Sequence, residues 1–133
     1  MKKIELKDDG YCFACGKMNN YGLKLEFIIE GEKTVSIFIP QKIHQGFKDI
    51  VHGGIISTIL DEAMMKAALS RGIRVVTAEM VVRFKSPLFV GDKAFIEAEI
   101  NNIGKRLIET SARIRKNDNS VIAEAKGKLL RNA

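Results

Sequence analysis

Residues 51–63 hold most of the side chains in this sequence whose types and spacing could do chemistry. Asp61 and Glu62 are adjacent carboxylates, which a helix would point about 100° apart. Glu62 has Lys66 four residues on, the spacing of an exposed ion pair. Asp61 instead has Ser57, Met64, Met65 and Ala68 within helical reach, and no basic side chain. A carboxylate among apolar neighbours is costly to bury, and its pKa is expected to rise. That suits a general base; the plain alternative is a surface aspartate on a helix. His52, Gly53 and Gly54 stand where the helical pattern opens. Backbone N–H groups there have no intrahelical partner and face the positive end of the helix dipole. Glycines let a ligand approach them closely, so the turn can hold a carbonyl oxygen that becomes negative during attack. His52 either orients this turn, polarises a substrate or plays a structural part.

The two cysteines form one Cys12-Phe13-Ala14-Cys15 pair. A four-ligand zinc site needs two more ligands, and His44 and His52 are the histidines on offer. A thioredoxin-like motif should open a helix, whereas Gly16, Asn19, Asn20 and Gly22 follow here. Loop thiols with no metal are therefore expected.

Positioning these groups falls to one helix and a set of strands. Residues 23–29 begin with alternating polarity and read as a strand, residues 30–33 as a turn, and residues 34–39 as the returning strand, stopped by Pro40. An 11-residue loop, 41–51, carries Gly46 and leads to His52. The helix is expected from Gly53 or Gly54 to Ser70, with Gly72 as its stop. Ile55, Ile56, Ile59, Leu60, Ala63, Met64 and Ala67 share one broad face, and Met65, Ala68 and Leu69 lie opposite. A helix apolar nearly all round is buried nearly all round, so a second subunit is expected to cover the side the strands leave open. Residues 75–86 read as a long strand with Val76, Ala78, Met80, Val82 and Phe84 on one face. Thr77, Glu79, Arg83 and Lys85 fall on the other. Residues 94–100, 107–115 and 121–130 alternate likewise. The order β-β-α-β-β-β-β, joined mostly by hairpins, implies an α+β domain with an antiparallel sheet of about five to six strands packed on one long helix.

The whole chain of 133 residues, 46% hydrophobic and 29% charged, reads as a single domain, 1–133, with a turn-rich lead-in over residues 1–22. No apolar run approaches the roughly 20 residues that span a bilayer, so no membrane association is expected. The start lacks the apolar core of a signal peptide, and a cytoplasmic location is the expectation. The +6 charge is scattered, with few aromatics, and reads as a solvated surface that helps an anionic small molecule approach; no nucleic-acid partner is expected.

His-Gly-Gly, with an aspartate nine residues after the histidine, on a helix before a long strand ending Phe84-Lys85-Ser86-Pro87, resembles the hotdog-fold acyl-CoA thioesterases, and within them the phenylacetate-pathway branch. The resemblance covers about residues 23–130, and the lead-in from Cys12 to Leu25 is similar to that of some bacterial members. It implies that Gly53 donates its N–H to the thioester carbonyl, with Gly54 beside it against the substrate. Asp61 would act as general base or nucleophile. Thr77 would hold the water or the carboxylate, and His52 matches the histidine before the oxyanion glycine. Many relatives carry an Asn where Gly46 stands here, and Gln45 and His44 flank that position as substitutes. Arg83, Lys85, Lys105 and Arg106 would bind the nucleotide part of coenzyme A. The resemblance further implies an acyl tunnel between two subunits, a homodimer or dimer of dimers, an acyl-CoA substrate and no cofactor. A non-catalytic acyl-CoA-binding hotdog domain is the alternative. A hydratase, which wants a histidine soon after the aspartate, and a metal or redox module built on the two cysteines rank below it.

Overall fold

The computed structural model describes residues 5–132. One helix, α1 (Gly53–Leu69), packs on a sheet of six strands: β1 (Ile28–Glu30), β2 (Lys33–Phe38), β3 (Val75–Phe84), β4 (Ala94–Ile103), β5 (Leu107–Lys116) and β6 (Val121–Arg131). The sheet order is β1-β2-β4-β5-β6-β3, and every neighbouring pair is antiparallel. The expected α+β architecture, with one long helix on an antiparallel sheet, is what forms. The β4–β5 and β5–β6 neighbours are chain neighbours joined by tight turns. By contrast, α1 carries the chain from β2 to β3 at the far edge.

The helix is held by its apolar stripe. Ile59, Leu60, Ala63, Met64 and Ala68 are fully buried, and Ile96, Ile108, Ile114 and Leu129 face them from the sheet. Gly127 of β6 lets the helix come close, since a Cβ there would lie 2.9 Å from the Met64 sulfur. The helix ends where expected, with Ser70 as its cap and Gly72 at φ +74°, a left-handed conformation that glycine adopts without strain.

Three expectations need correction. The first strand starts at Ile28, not at residue 23. Leu23 and Leu25 are buried as their alternation suggests, but their N–H groups bond to the carbonyls of Phe13 and Ala14 at 2.8 and 2.9 Å. The lead-in takes the partners that a sheet would have supplied. Second, the far side of α1 is partly covered by this chain itself: Ala14 is buried, and Cys12 and Cys15 lie against Glu62. The Glu62–Lys66 pair forms at 3.8 Å, but under this cover rather than in open solvent, with only 15% of the Glu62 side chain exposed. Third, Thr77 does not share a face with Glu79. The β3–β6 register shifts between Thr77 and Glu79, so Ala78 bulges out of the ladder. A bulge inserts one residue and reverses which face the following side chains take. Val75 and Thr77 therefore point to the helix on one side of the bulge, and Met80 and Val82 on the other. Alternation counted straight through residues 75–86 misses this reversal.

Candidate active site

The start of α1 is shaped by His52. As the helix N-cap, it accepts the Gly54 N–H on its Nδ1 at 2.8 Å, and its carbonyl takes the N–H groups of Ile55 and Ile56. With Nδ1 as acceptor, the ring N–H lies on Nε2. The same bond uses the Gly54 N–H and leaves that of Gly53 with no partner among the described residues. Gly53 is exposed, and the Phe84 ring lies 3.7 Å from where its Cβ would be. Beside it opens a cavity of about 310 Å³ lined by Ile50, Val51, Ile56, Phe84, Leu88 and Ile122. One unpaired backbone donor thus faces an apolar pocket, the setting in which a developing oxyanion is stabilised most strongly.

The loop before the helix is braced from within. Near its start is a single 3-10 turn, Lys42–His44. His44 is buried against Phe38, with ring centroids 5.1 Å apart. Its Nδ1 accepts the Gln41 N–H at 2.9 Å, and its carbonyl accepts the His52 N–H at 2.9 Å. Burial holds the His44 pKa below the usual histidine value, and Nε2 is buried with no partner among the described residues. His44 thus positions His52, a role that spacing alone does not reveal. Gln45 turns its side-chain oxygen to the Asp49 N–H at 3.0 Å. Gly46 sits against His52, where a Cβ would meet the His52 Cα and ring at 3.4 Å.

Asp61 lies on the second turn after the glycines, half-buried. The Thr77 hydroxyl donates to its Oδ1 at 2.6 Å. Among the described residues Oδ2 has no partner and no basic side chain pairs with the carboxylate. Thr77 holds one oxygen in place and leaves the other open, a sound arrangement for taking a proton or attacking a carbon. The bulge at Ala78 is what aims Thr77 at the helix.

Eight residues separate Gly53 from Asp61, so the helix sets them about 12 Å apart. A reacting carbonyl must sit within about 3 Å of its donor and about 3–3.5 Å of the attacking atom. One chain therefore brings Asp61 to Thr77 but does not bring Asp61 to its own Gly53. The basic residues are divided too. Lys85 borders the cavity beside Gly53 and pairs with Glu124 at 3.4 Å, with Arg83 nearby on β3. Lys105 and Arg106 lie at the other end of the sheet, in the β4–β5 turn.

A second cluster lies on another face of α1. Cys12, Cys15 and Glu62 offer ligand atoms within 4.8 Å of one another. Burial, the hydrogen bond with Cys12 and the Glu62 charge push the Cys15 thiol up to about 12. The histidines considered as companions of the cysteines take no part in this group. Glu62 does, through the packing of the lead-in on the helix, which a pattern of spacing does not show.

Comparison with known proteins places the chain among relatives. A family model described as the thioesterase superfamily matches residues 48–123. Acyl-coenzyme A thioesterase THEM4 of Xenopus laevis is 30% identical over 90 residues, covering 68% of this chain and 40% of that protein. The chain thus spans less than half the length of that curated relative. The PaaI protein from the phenylacetic acid degradation operon of E. coli has the same fold, with a TM-score of 0.76 at 23% identity over 82% of this chain and 80% of that one. A hypothetical thioesterase protein of Streptococcus pneumoniae TIGR4, 15% identical, superposes with a TM-score of 0.76 over 89% of this chain and 95% of that one.

Proposed function

The chain belongs to the thioesterase superfamily, and on that footing we propose that it hydrolyses an acyl-coenzyme A thioester to the free acid and coenzyme A. The observation that carries the reading is the Thr77–Asp61 hydrogen bond of 2.6 Å beside a carboxylate oxygen with no other partner among the described residues. The name of the Xenopus relative, an acyl-coenzyme A thioesterase, supports the substrate class. In the reaction Asp61 takes a proton from water as that water attacks the thioester carbon, or attacks the carbon itself to give an anhydride that water then opens. Either way the carbonyl oxygen becomes negative and is met by the Gly53 N–H. The C–S bond breaks, and the thiolate of coenzyme A leaves and is protonated. The apolar cavity at Ile50, Phe84 and Leu88 takes the acyl group.

The 12 Å between Gly53 and Asp61 requires two copies of the chain. Strand β3 offers the means. It is ten residues long, pairs with β6 on one side and stands at the sheet edge on the other. Long open edges invite pairing with another strand. A two-fold, antiparallel pairing about the middle of β3 sets the Phe84 end of one copy against the Val76 end of the other. Gly53 packs near Phe84, and Asp61 bonds to Thr77 next to Val76. The pairing thus brings the oxyanion donor of one subunit to the carboxylate of its partner, and it brings the Arg106 end of the sheet toward Arg83 and Lys85, where the nucleotide of coenzyme A would bind.

The test is thiol release from a panel of acyl-CoAs by the wild type and by Asp61→Asn, which keeps the shape but takes no proton. We expect turnover by the wild type and a fall of at least about 100-fold in the variant. Binding of acyl-CoA with no turnover by the wild type would contradict hydrolysis and mark a binding domain instead.

A further inference from the structure

The two thiols and Glu62 are not needed for this hydrolysis, yet three segments of the chain converge to bring them together. We propose that Cys12, Cys15 and Glu62 bind one zinc ion, which staples the lead-in to the helix that carries Asp61.

The turn that carries the thiols is built rather than loose. The Gly16 N–H bonds to the Cys12 carbonyl at 2.8 Å, and the Met18 N–H to that of Gly10 at 2.9 Å. Residue 16 has no room for a side chain, because a Cβ would lie 2.4 Å from the Cys12 nitrogen and 2.5 Å from the Gly10 oxygen. The bonds from Leu23 and Leu25 to Phe13 and Ala14 then pin the turn against α1. This places both sulfurs over the third turn of the helix, with Cys12 Sγ 3.7 Å from Glu62 Oε2.

The ligand set suits zinc. Two thiolates at the C-x-x-C spacing and one carboxylate are ordinary zinc ligands, and sulfur favours zinc over magnesium or calcium. In a tetrahedron with Zn–S of about 2.3 Å, neighbouring ligand atoms stand roughly 3.5–3.8 Å apart. The Cys12–Glu62 distance already fits, and no pair exceeds 4.8 Å, so closing on the metal takes a movement of about 1 Å. Charge also balances. Binding releases two thiol protons to solvent, and Zn²⁺ with two thiolates and one carboxylate carries a net charge of −1. Lys66, 3.8 Å from Glu62 Oε1, supplies the compensating positive charge. Three protein ligands leave the fourth position to water.

The experiment uses the whole protein, reduced and stripped of metal. Cobalt(II) is titrated in as a spectroscopic substitute, and zinc is then used to displace it. We expect one equivalent of cobalt per chain, with a thiolate-to-cobalt charge-transfer band that one equivalent of zinc removes. Cys12→Ser and Cys15→Ser should each abolish the band. Glu62→Gln, which keeps both thiols and the shape of the side chain, should weaken zinc binding at least about tenfold, and zinc should raise the melting temperature of the wild type more than that of this variant. Asp61→Asn should bind as the wild type does, so the metal site is judged separately from hydrolysis. Absence of the band, or zinc affinity unchanged by Glu62→Gln, would overturn the proposal; the second result would mean two surface thiols binding metal by themselves.

Discussion

In the proposed mechanism, Asp61 depends on Thr77 more than on its own position on the helix. The 2.6 Å bond fixes one carboxylate oxygen and aims the other. Thr77→Val removes the hydroxyl with little change of shape, and a hydrogen bond to a charged group is worth about 1.5–3 kcal/mol. We expect kcat to fall about tenfold or more, and Thr77→Ser, which restores the hydroxyl, to recover most of it. Equal activity in the two variants would remove Thr77 from the site. At the same scale, His44 makes the loop sensitive to acid. Burial depresses its pKa from the ordinary 6.5, so the folded state binds a proton less readily than the unfolded one. Stability is therefore full above about pH 6.5 and is lost as the pH falls through the folded value. Protonation of Nδ1 also removes the acceptor of the Gln41 N–H. Urea midpoints measured from pH 7 down to pH 5 should drop more steeply for the wild type than for His44→Asn; parallel curves would contradict this. Asp61, Gly53 and His52 were legible from their order in the chain. Thr77 was legible only through a family resemblance, because direct alternation places it on the wrong face. His44 was visible as a zinc-ligand candidate and as a flanking residue but not as the residue that positions His52, since that work is done through a backbone carbonyl that any residue carries.

The elements were read closely where local pattern decides them. The helix, its glycine stop and the four strands after it follow from periodicity and turn residues, and the structure places each within a few residues. The misses arise where tertiary contact overrides pattern. Residues 23–27 alternate like a strand, but the lead-in captures their N–H groups. Met65 and Ala68 look like an interface for a partner, yet the chain's own residues 12–15 cover part of that side. Among the elements, β3 carries the most consequential prediction. Val81 lies near the middle of the open edge and is 53% exposed. In a two-fold pairing it would face its own copy closely, so Val81→Asp sets two like charges together. Sedimentation should show dissociation to single chains, with thioesterase activity lost at the same protein concentrations. A fully active, monomeric Val81→Asp would contradict the shared site.

At the scale of the whole molecule, fold and site are linked by one length. A helix that runs along the sheet keeps its first residue and its ninth about 12 Å apart, and no change of rotamer closes that gap. The chain order hints at both halves of the site, but this distance becomes a constraint only once the helix is known to be continuous from Gly53 to Leu69. In the proposed mechanism, catalysis by these residues is therefore a property of the pair.

The most direct test reassorts two damaged chains. Asp61→Asn lacks the carboxylate. Gly53→Pro lacks the N–H, and proline is well tolerated at this first helical position; loss of an oxyanion donor should cost about 100- to 1000-fold alone. Each homodimer should be nearly inactive. Unfolded together and refolded as a mixture, half of the dimers combine the two chains, and each holds one site with an intact Asp61 from one copy and an intact Gly53 from the other. Activity should return to about a quarter of the wild type, as two-fold symmetry requires. If the mixture stays as inactive as its parents while the mixed dimers are shown to form, Asp61 and Gly53 do not meet across two subunits and the account fails.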